Sequence, residues 1–252
     1  GKGGRPVAVL EAPEISMAFG GNVVLDGVSL SVEEGTVTGL IGPNGAGKTT
    51  LFNVISGLLD PTSGRIAVDG HDVTRAGPAA RARRGLSRSY QQLELFTSLS
   101  VRDNVRVAGD IRNAWGRRFR IDVKAETDRV MGLLGLDDVA DREVGELPTA
   151  RARIIEVARA LMTKPRILLL DEPASGQTET ETVEFGQLLG QLAREDSLGI
   201  CLVEHDVSLV MGVCTTIHVL DYGQIIASGT PEQIRLEPAV IDAYLGSTEG
   251  VG

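Results

Sequence analysis

A glycine-rich loop early in the chain has the residue types needed to hold phosphate. The apolar residues 37–41 predict a short buried strand, and residues 49–56 have the spacing of a helix. Between them the pattern G-x-x-x-x-G-K-T runs from Gly42 to Thr49. Glycines let backbone N–H groups turn toward phosphate oxygens, and the following helix start favours an anion. A glycine-rich turn with a chance lysine is the alternative, but the strand-then-helix context favours a phosphate site.

Each residue type in this loop has a predicted contact with nucleotide. A lysine at this position can reach the β- and γ-phosphates, and the hydroxyl of the next threonine can bind Mg²⁺. The predicted nucleotide-binding residues of the loop are Gly42, Pro43, Asn44, Gly45, Ala46, Gly47, Lys48, Thr49 and Thr50, with Thr49 also a metal ligand.

Two acidic residues follow a second apolar strand. Residues 167–170 form a continuous apolar run, as expected of a parallel strand that is covered on both faces. Asp171 and Glu172 come next, and open α/β sheets bind ligands at the carboxyl ends of their strands. Asp171 is therefore predicted to hold the Mg²⁺ shell, and Glu172 to polarise an attacking water. An acidic turn without a function is the alternative.

His205 follows another apolar strand, residues 199–203, at the same predicted sheet edge as Asp171. A histidine at this place can hydrogen-bond a γ-phosphate and orient water, so we predict that it is catalytic. Taken alone, such a residue would more often be a structural histidine.

Composition narrows the class of protein. The chain has 252 residues and a net charge of −9, which argues against nucleic-acid binding as its main function. Cys201 and Cys214 have no metal-like spacing, which favours a reduced, cytoplasmic chain. No apolar stretch reaches the ~18–20 residues that span a bilayer, although docking on a membrane protein stays open. A basic run is expected to form a solvated helix and turn face; it comprises Arg75, Arg81, Arg83, Arg84 and Arg88.

The hydrophobic pattern predicts an α/β fold: a P-loop NTPase core with a mostly parallel sheet, an N-terminal antiparallel β unit and an inserted α-helical sub-domain. The β unit is predicted from alternating apolar residues, and the sub-domain from helical periodicity over residues 98–162. We expect residues 1–6 to be a linker or tag remnant. The remainder, 7–252, is predicted as one domain, with a core of 7–92 and 163–252 and a helical sub-domain of about 93–162. Predicted helices include 78–85, 153–161, 181–193 and 231–245; predicted short strands include 65–70 and 86–90.

Taken together, these residues resemble the nucleotide-binding subunit of ABC transporters, from about Leu10 to the end. Residues 168–173 resemble the Walker B strand of that family, and residues 203–206 resemble its H-loop. The resemblance implies that Gln91 is the catalytic glutamine that contacts Mg²⁺ and water. It also places Phe19 like the aromatic residue that stacks on adenine, with an ordinary apolar strand residue as the alternative.

A finer resemblance is to the ATPases of branched-chain amino-acid importers. It rests on residues 18–21, 203–206, 209–211, 220–223, 229–234 and 243–246. It implies ATP and Mg²⁺ as cofactors and transmembrane permease subunits as partners, with a solute-binding protein as a further candidate. The expected location is cytoplasmic, peripheral on the inner face of the cell membrane. The transported substrate does not follow from this chain, because the partners of such ATPases select it.

The chain departs from the family at the ABC signature, usually L-S-G-G-Q or L-S-Y-G-Q. Pro148 replaces the serine whose hydroxyl meets the γ-phosphate, and it also removes a backbone N–H. Ala150 replaces a glycine that allows close backbone approach, and Arg151 replaces glutamine. In the D-loop, Thr178 stands where aspartate is usual. The degenerate signature consists of Leu147, Pro148, Thr149, Ala150 and Arg151.

In this family the signature of one subunit completes the ATP site of the other. The altered signature therefore predicts an asymmetric heterodimer with a second ABC ATPase subunit. The alternative is that Thr149 and the following helix start still bind phosphate adequately. The leading prediction is an ATP hydrolase that drives a transporter. A regulatory nucleotide-binding module with little hydrolysis is the runner-up, and an ABC ATPase without a membrane partner is the third candidate.

Overall fold

The strands and helices follow the predicted α/β order. The computed structural model describes residues 7–89 and 94–240. Within them the strands are β1 Ala8–Phe19, β2 Asn22–Glu33, β3 Val37–Ile41, β4 Ala67–Val68, β5 His71–Asp72, β6 Leu86–Arg88, β7 Ile167–Asp171, β8 Gly199–Val203, β9 Thr216–Asp221 and β10 Gln224–Gly229. The α-helices are α1 Lys48–Ser56, α2 Pro78–Arg83, α3 Val101–Ala114, α4 Val123–Leu133, α5 Thr149–Leu161, α6 Glu179–Glu195, α7 Val207–Val213 and α8 Pro231–Arg235.

The strands form two sheets, and the fold prediction is confirmed. One sheet has the order β10-β9-β3-β8-β7-β6, in which the strands from β9 to β6 are parallel and β10 is antiparallel. The other has the order β2-β1-β4-β5 and is antiparallel, as predicted for the N-terminal unit. Because β3, β7, β8 and β9 are parallel, their carboxyl ends meet at one edge, where the phosphate loop also begins.

Alternation along the central strands divides the core between the two faces of the parallel sheet. Ile167 and Leu169 of β7 pack with residues from the antiparallel sheet and α1, such as Phe52. Leu168 and Leu170 pack with the helices on the opposite face, including Met131 of α4. β7 is thus buried on both sides, and its end is held rigidly at the sheet edge.

Two helix boundaries differ from the prediction by four residues or more, whereas those of α2 and α6 differ by two at most. α5 begins at Thr149 rather than at residue 153, because Pro148 occupies the N-cap position, where its missing N–H costs the helix nothing. The predicted helix 231–245 breaks after Arg235, because Pro238 disfavours helical geometry at the residue before it; its last part, 241–245, lies outside the described residues. Both predicted short strands are shorter, since β4 spans only Ala67–Val68 and β6 only Leu86–Arg88. Within the described ranges, no helix is both long and apolar enough to cross a membrane.

Candidate active site at the carboxyl edge of the parallel sheet

The phosphate loop joins β3 to α1 by a turn that depends on glycine. Gly47 stands at the N-cap of α1 with φ of 109°. Gly42 has φ of 154°, and a Cβ at Gly42 would lie 1.9 Å from the carbonyl oxygen of Leu220. A side chain there would clash with the end of β9, so tertiary packing as well as backbone conformation requires glycine at this position.

Lys48 lies inside the loop, where its ammonium group is bonded to the loop's own backbone. The Nζ atom donates to the carbonyl oxygens of Gly42 at 2.6 Å and Pro43 at 2.8 Å, and the residue is 6 % exposed. Burial lowers the pKa of Lys48, and the negative charges of Glu172 and Asp171 oppose that shift. The loop carbonyls therefore hold the ammonium group within the electrostatic influence of both carboxylates, and a bound phosphate oxygen can replace a carbonyl as its acceptor.

Glu172 and His205 meet at the ends of adjacent strands. The Nε2 atom of His205 lies 2.5 Å from Oε1 of Glu172. β7 and β8 place them side by side, since Asp171 pairs with Val203 and the Glu172 N–H donates to the Val203 carbonyl oxygen at 2.9 Å. Glu172 has φ of 49°, a left-handed conformation that turns the chain sharply at the strand end. Each strand end thus presents one polar side chain to the other.

An open cavity of about 290 Å³ brings the phosphate loop and this pair together. Lys48, Glu172 and His205 all line it, so residues predicted from three separate segments face one space. Phe19 ends β1 and is 47 % exposed, but it is not among the described residues that line this cavity. The lining residues are Val24, Asn44, Gly45, Gly47, Lys48, Thr49, Thr50, Glu172 and His205.

Asp171 has the properties expected of a residue in a Mg²⁺ shell. It is 2 % exposed, and burial raises its pKa while the charge of Arg88 opposes the shift. One carboxylate oxygen, Oδ2, accepts a hydrogen bond from Arg88 at 3.0 Å. The other, Oδ1, is buried and lacks a hydrogen-bond partner among the described residues. A buried carboxylate oxygen without a partner is costly, so its lone pairs fit a metal-bound water or the metal itself.

The remaining donors fit Mg²⁺ better than a metal held by protein alone. In the described ranges, no three His, Cys, Asp or Glu side chains cluster as a protein metal cage would. Mg²⁺ usually keeps several waters and substrate phosphates as ligands, with one or two protein groups. Thr49 lines the cavity and Asp171 lies at the adjacent strand end, so the chemistry suits magnesium that arrives with nucleotide.

The expectation of a solvated basic run is wrong for Arg81. This arginine is fully buried, and its guanidinium donates to the carbonyl oxygens of Val54 and Ile55 in the last turn of α1, both at 2.6 Å. It also donates to the carbonyl oxygens of Ala76 and Thr74. Arg81 therefore caps the helix that follows the phosphate loop, where a cation is favourable.

The expectation of a solvated face is also wrong for Arg88, which belongs to the candidate active site. Its guanidinium, 5 % exposed, joins Asp171 to α1 by donating to Asn53 Oδ1 at 2.8 Å and Ser56 Oγ at 2.9 Å. The position of Arg88 inside the predicted strand 86–90 could have indicated that it is paired, because a charged side chain in a buried parallel sheet needs a partner. The neighbouring arginines instead favoured the interpretation of the segment as a solvated basic face.

Glu204 is a further site residue that sequence reasoning missed. It is 4 % exposed and accepts hydrogen bonds from the backbone N–H groups of Ala174 and His205. An acid directly before His205 gives no sign in the sequence of whether it faces solvent or the interior. Gln91, predicted as catalytic and metal-binding, lies outside the described residues.

The signature segment begins α5 and uses its arginine internally. Pro148 provides no side-chain hydrogen bond at the N-cap, so the first N–H groups of α5 have no side-chain cap. The guanidinium of Arg151 donates to the Gly135 carbonyl oxygen at 2.8 Å and lies 3.4 Å from Asp138. This arginine is therefore tied to its own helical region.

The site consists of a strand, a phosphate loop and a helix in succession, with an acidic strand end beside them. This arrangement defines a P-loop nucleotide hydrolase. The family described as ABC transporter matches residues 25–175, and that described as branched-chain amino acid ATP-binding cassette transporter matches residues 224–249. The chain belongs to the ABC transporter ATP-binding family and is an ATP hydrolase of the transporter type. The predicted resemblance to ATPases of branched-chain amino-acid importers is also confirmed.

Three similar proteins cover almost the whole chain. The high-affinity branched-chain amino acid transport ATP-binding protein BraF of Pseudomonas aeruginosa is 39 % identical, over 96 % of this chain and 98 % of its own. LivG of Escherichia coli, whose name carries the same description, is 36 % identical, over 94 % and 98 %. The crystal structure of the ADP conformation of MJ1267, an ATP-binding cassette of an ABC transporter, superposes with a TM-score of 0.84 at 29 % identity, over 95 % and 99 %.

Proposed function

We propose that this chain hydrolyses Mg-ATP at the carboxyl edge of its parallel sheet to drive the import of branched-chain-type amino acids. The observation that carries the proposal is the 2.5 Å contact between Glu172 and His205 at a cavity shared with Lys48. A carboxylate and an imidazole in contact beside a phosphate loop can activate water and stabilise charge on the group it attacks. The import function is supported by relatives whose names describe branched-chain amino acid transport.

Each residue has a role in this proposal. Glu172 accepts the proton of the attacking water, while His205 and Lys48 donate hydrogen bonds to γ-phosphate oxygens. Asp171 and Thr49 hold Mg²⁺, which neutralises phosphate charge when bound. We retain Gln91 as a contact to Mg²⁺ and water, and Phe19 as an adenine contact on the exposed rim.

A second ABC ATPase subunit completes the site. The proposed asymmetric heterodimer follows from the signature, where Pro148 provides no hydroxyl and Arg151 is bonded to Gly135 and Asp138. An intact signature on the partner would complete the ATP site described above. The site on the partner's phosphate loop would receive Leu147 to Arg151 and hydrolyse poorly.

The permease contact is proposed at a groove between the two parts of the chain. We retain the division into a core, 7–92 and 163–252, and a helical sub-domain of about 93–162. A cavity of about 230 Å³ between them is lined by Ser87 of β6, Ile111 of α3 and Arg159 of α5. Ile111 is 51 % exposed there, which suits an amphipathic helix of the permease. The chain would thus lie on the inner face of the membrane, with a solute-binding protein on the other side.

The second candidate is a nucleotide-binding regulatory module with little hydrolysis. The specific observation in its favour is the same signature, because a subunit that cannot complete its partner's site could serve mainly to bind ATP. The retained Glu172–His205 contact argues for hydrolysis, since a binding module has no need of a base at this position.

Replacing Glu172 tests hydrolysis directly. Glu172→Gln removes the base and leaves the phosphate loop intact, so we expect ATP turnover to fall at least a hundredfold while ATP binding persists. Glu184→Gln, on the exposed face of α6, is the matched control and should leave turnover unchanged. Equal turnover of wild type and Glu172→Gln would favour the regulatory module.

Repairing the signature tests the heterodimer. We expect the purified chain to show weak, non-cooperative turnover, and Pro148→Ser/Ala150→Gly/Arg151→Gln to raise it, because two copies could then complete each other's sites. The assay is ATPase activity against protein concentration. Robust cooperative turnover by the unmodified chain would refute the asymmetric assembly.

A further inference from the structure

One buried carboxylate joins the two segments that carry Glu172 and His205. Oε1 of Glu204 accepts the Ala174 N–H at 2.8 Å, and Oε2 accepts the His205 N–H at 3.2 Å. Ala174 follows Glu172 by two residues, and Glu204 directly precedes His205. A single side chain therefore connects the backbone beyond β7 with the backbone beyond β8.

Burial of the Glu204 carboxylate costs free energy, because the charged group loses its contact with water. Glu204 is 4 % exposed, and the described part of the chain places no Lys or Arg ion pair on its carboxylate. Burial raises the pKa of Glu204, and the backbone N–H groups oppose the shift. Hydrogen bonds from the backbone N–H groups of Ala174, His205 and Asp206 hold the carboxylate in the interior. These hydrogen bonds constrain the distance between the backbone after β7 and the backbone after β8.

The Glu172–His205 contact needs such a constraint because its members are partly exposed. The side chain of His205 is 48 % exposed and that of Glu172 is 24 % exposed, so little packing fixes either one. On the strand side of the pair, the Glu172 N–H bonds to Val203. On the side of the pair away from the strands, the hydrogen bond from the Ala174 N–H to Glu204 joins the same two segments a second time. The pair thus lies between two cross-links of the same two segments.

The cross-linked segment also reaches the signature. Gly176, two residues after Ala174, lies against Thr149 at the start of α5, since a Cβ built on Gly176 would be 3.9 Å from Thr149 Cγ2. The Gln177 N–H donates to the Ala174 carbonyl oxygen at 3.1 Å, which closes the turn. The turn that approaches the signature is therefore joined to Glu204 through Ala174.

We propose that Glu204 is a positioning residue that sets the distance between Glu172 and His205 and connects this pair to the turn against the signature. The inference rests on the proposed role of Glu172 as base. Glu204 touches neither phosphate nor water in this role. It acts through the backbone N–H groups whose hydrogen bonds it accepts.

The three histidines of the chain allow a test that does not require turnover. In nucleotide-free protein, Glu172→Gln should shift the imidazole NMR signals of His205, which are identified by their loss in His205→Ala. In a Glu204→Ala background, the shift caused by Glu172→Gln should fall below half, because the two side chains no longer meet. An equal shift in both backgrounds would overturn the proposal.

Turnover provides the second measurement. Glu204→Ala should lower kcat for ATP by about ten- to a hundredfold, as expected for a misplaced catalytic group, with ATP affinity changed less than twofold. Glu204→Gln keeps one acceptor and should give an intermediate kcat. Glu126→Gln is the matched control, a buried glutamate of α4 paired with Arg129 and Lys164, and should leave kcat unchanged.

The outcomes separate this inference from the function on which it rests. If neither wild type nor the variant with the repaired signature hydrolyses ATP, the proposed function fails, and the NMR comparison still decides the role of Glu204. If wild type hydrolyses ATP and Glu204→Ala has the same kcat, the inference fails alone. Urea unfolding shows whether Glu204→Ala folds; if it does not, Glu204→Gln is used for both measurements.

Discussion

Removing the charge of Arg88 should destabilise the protein far more than removing an exposed arginine. Arg88→Met leaves Asp171, which is 2 % exposed, without its cation, and breaks the bonds to Asn53 and Ser56. Loss of one partner of a buried ion pair costs about 3–5 kcal/mol, and each neutral hydrogen bond contributes about 1 kcal/mol. These losses sum to about 5–7 kcal/mol. Because methionine keeps part of the packing on Phe52, we expect the lower end, a loss of about 5 kcal/mol.

The assay is urea unfolding followed by circular dichroism, analysed by linear extrapolation. A loss of this size should also lower Tm by roughly 10–20 °C for a chain of this length. The matched control is Arg102→Met, since Arg102 pairs with Asp128 at 2.5 Å on the surface, with side chains 36 % and 52 % exposed. That exposed pair should contribute less than about 1 kcal/mol.

A double substitution separates the unpaired charge from other losses. Arg88→Met/Asp171→Leu removes both charges, so it should be less destabilised than the sum of the single variants predicts. The reasoning is refuted if Arg88→Met costs no more than Arg102→Met. It is also refuted if the double variant loses the full sum, because the cost would then come from packing alone.

Two further predictions concern the loop and the thiols. Gly42→Ala should abolish ATP binding, measured by equilibrium dialysis, because its Cβ would lie 1.9 Å from the Leu220 carbonyl oxygen. Gly70→Ala, also at positive φ but with open space around it, should bind ATP normally and cost only about 1 kcal/mol of stability; equal binding by the two variants would refute the packing argument. Cys201 and Cys214 should resist iodoacetamide up to pH 10 in folded protein and react after unfolding, since burial raises the pKa of Cys214 to about 12 and that of Cys201 higher still. Fast alkylation of native protein would contradict this burial.

Local patterns were sufficient for the elements of the site that depend on local chemistry. Gly42 to Thr49 could be identified because a phosphate loop needs particular residue types in a fixed order between a strand and a helix. Asp171 and Glu172 were found because a strand buried on both faces is apolar throughout, so the acids mark its end. These signals come from neighbouring residues and need no knowledge of the rest of the chain.

Residues that act across the fold escaped the same reasoning. The sequence places Arg81 and Arg88 on a solvated face, because clustered charges usually are solvated. In the structure Arg81 is fully buried, and the Arg88 side chain is only 5 % exposed. Most of their partners lie 26 to 83 residues away along the chain: two helix carbonyls, a carboxylate and the side chains of Asn53 and Ser56. Only two carbonyl contacts of Arg81 are nearby in sequence. The hydrophobic periodicity of a sequence does not indicate pairs of residues that are this far apart along the chain.

The sequence alone determined the phosphate loop, the acidic strand end and the family resemblance, because each depends on residue type at short spacing. Tertiary structure decided how these parts are held. It placed Glu172 against His205, gave Asp171 its cation in Arg88, and put Glu204 between two backbone segments. The physical reason is that burial changes the cost of a charge, and burial is a property of the folded chain rather than of any one segment.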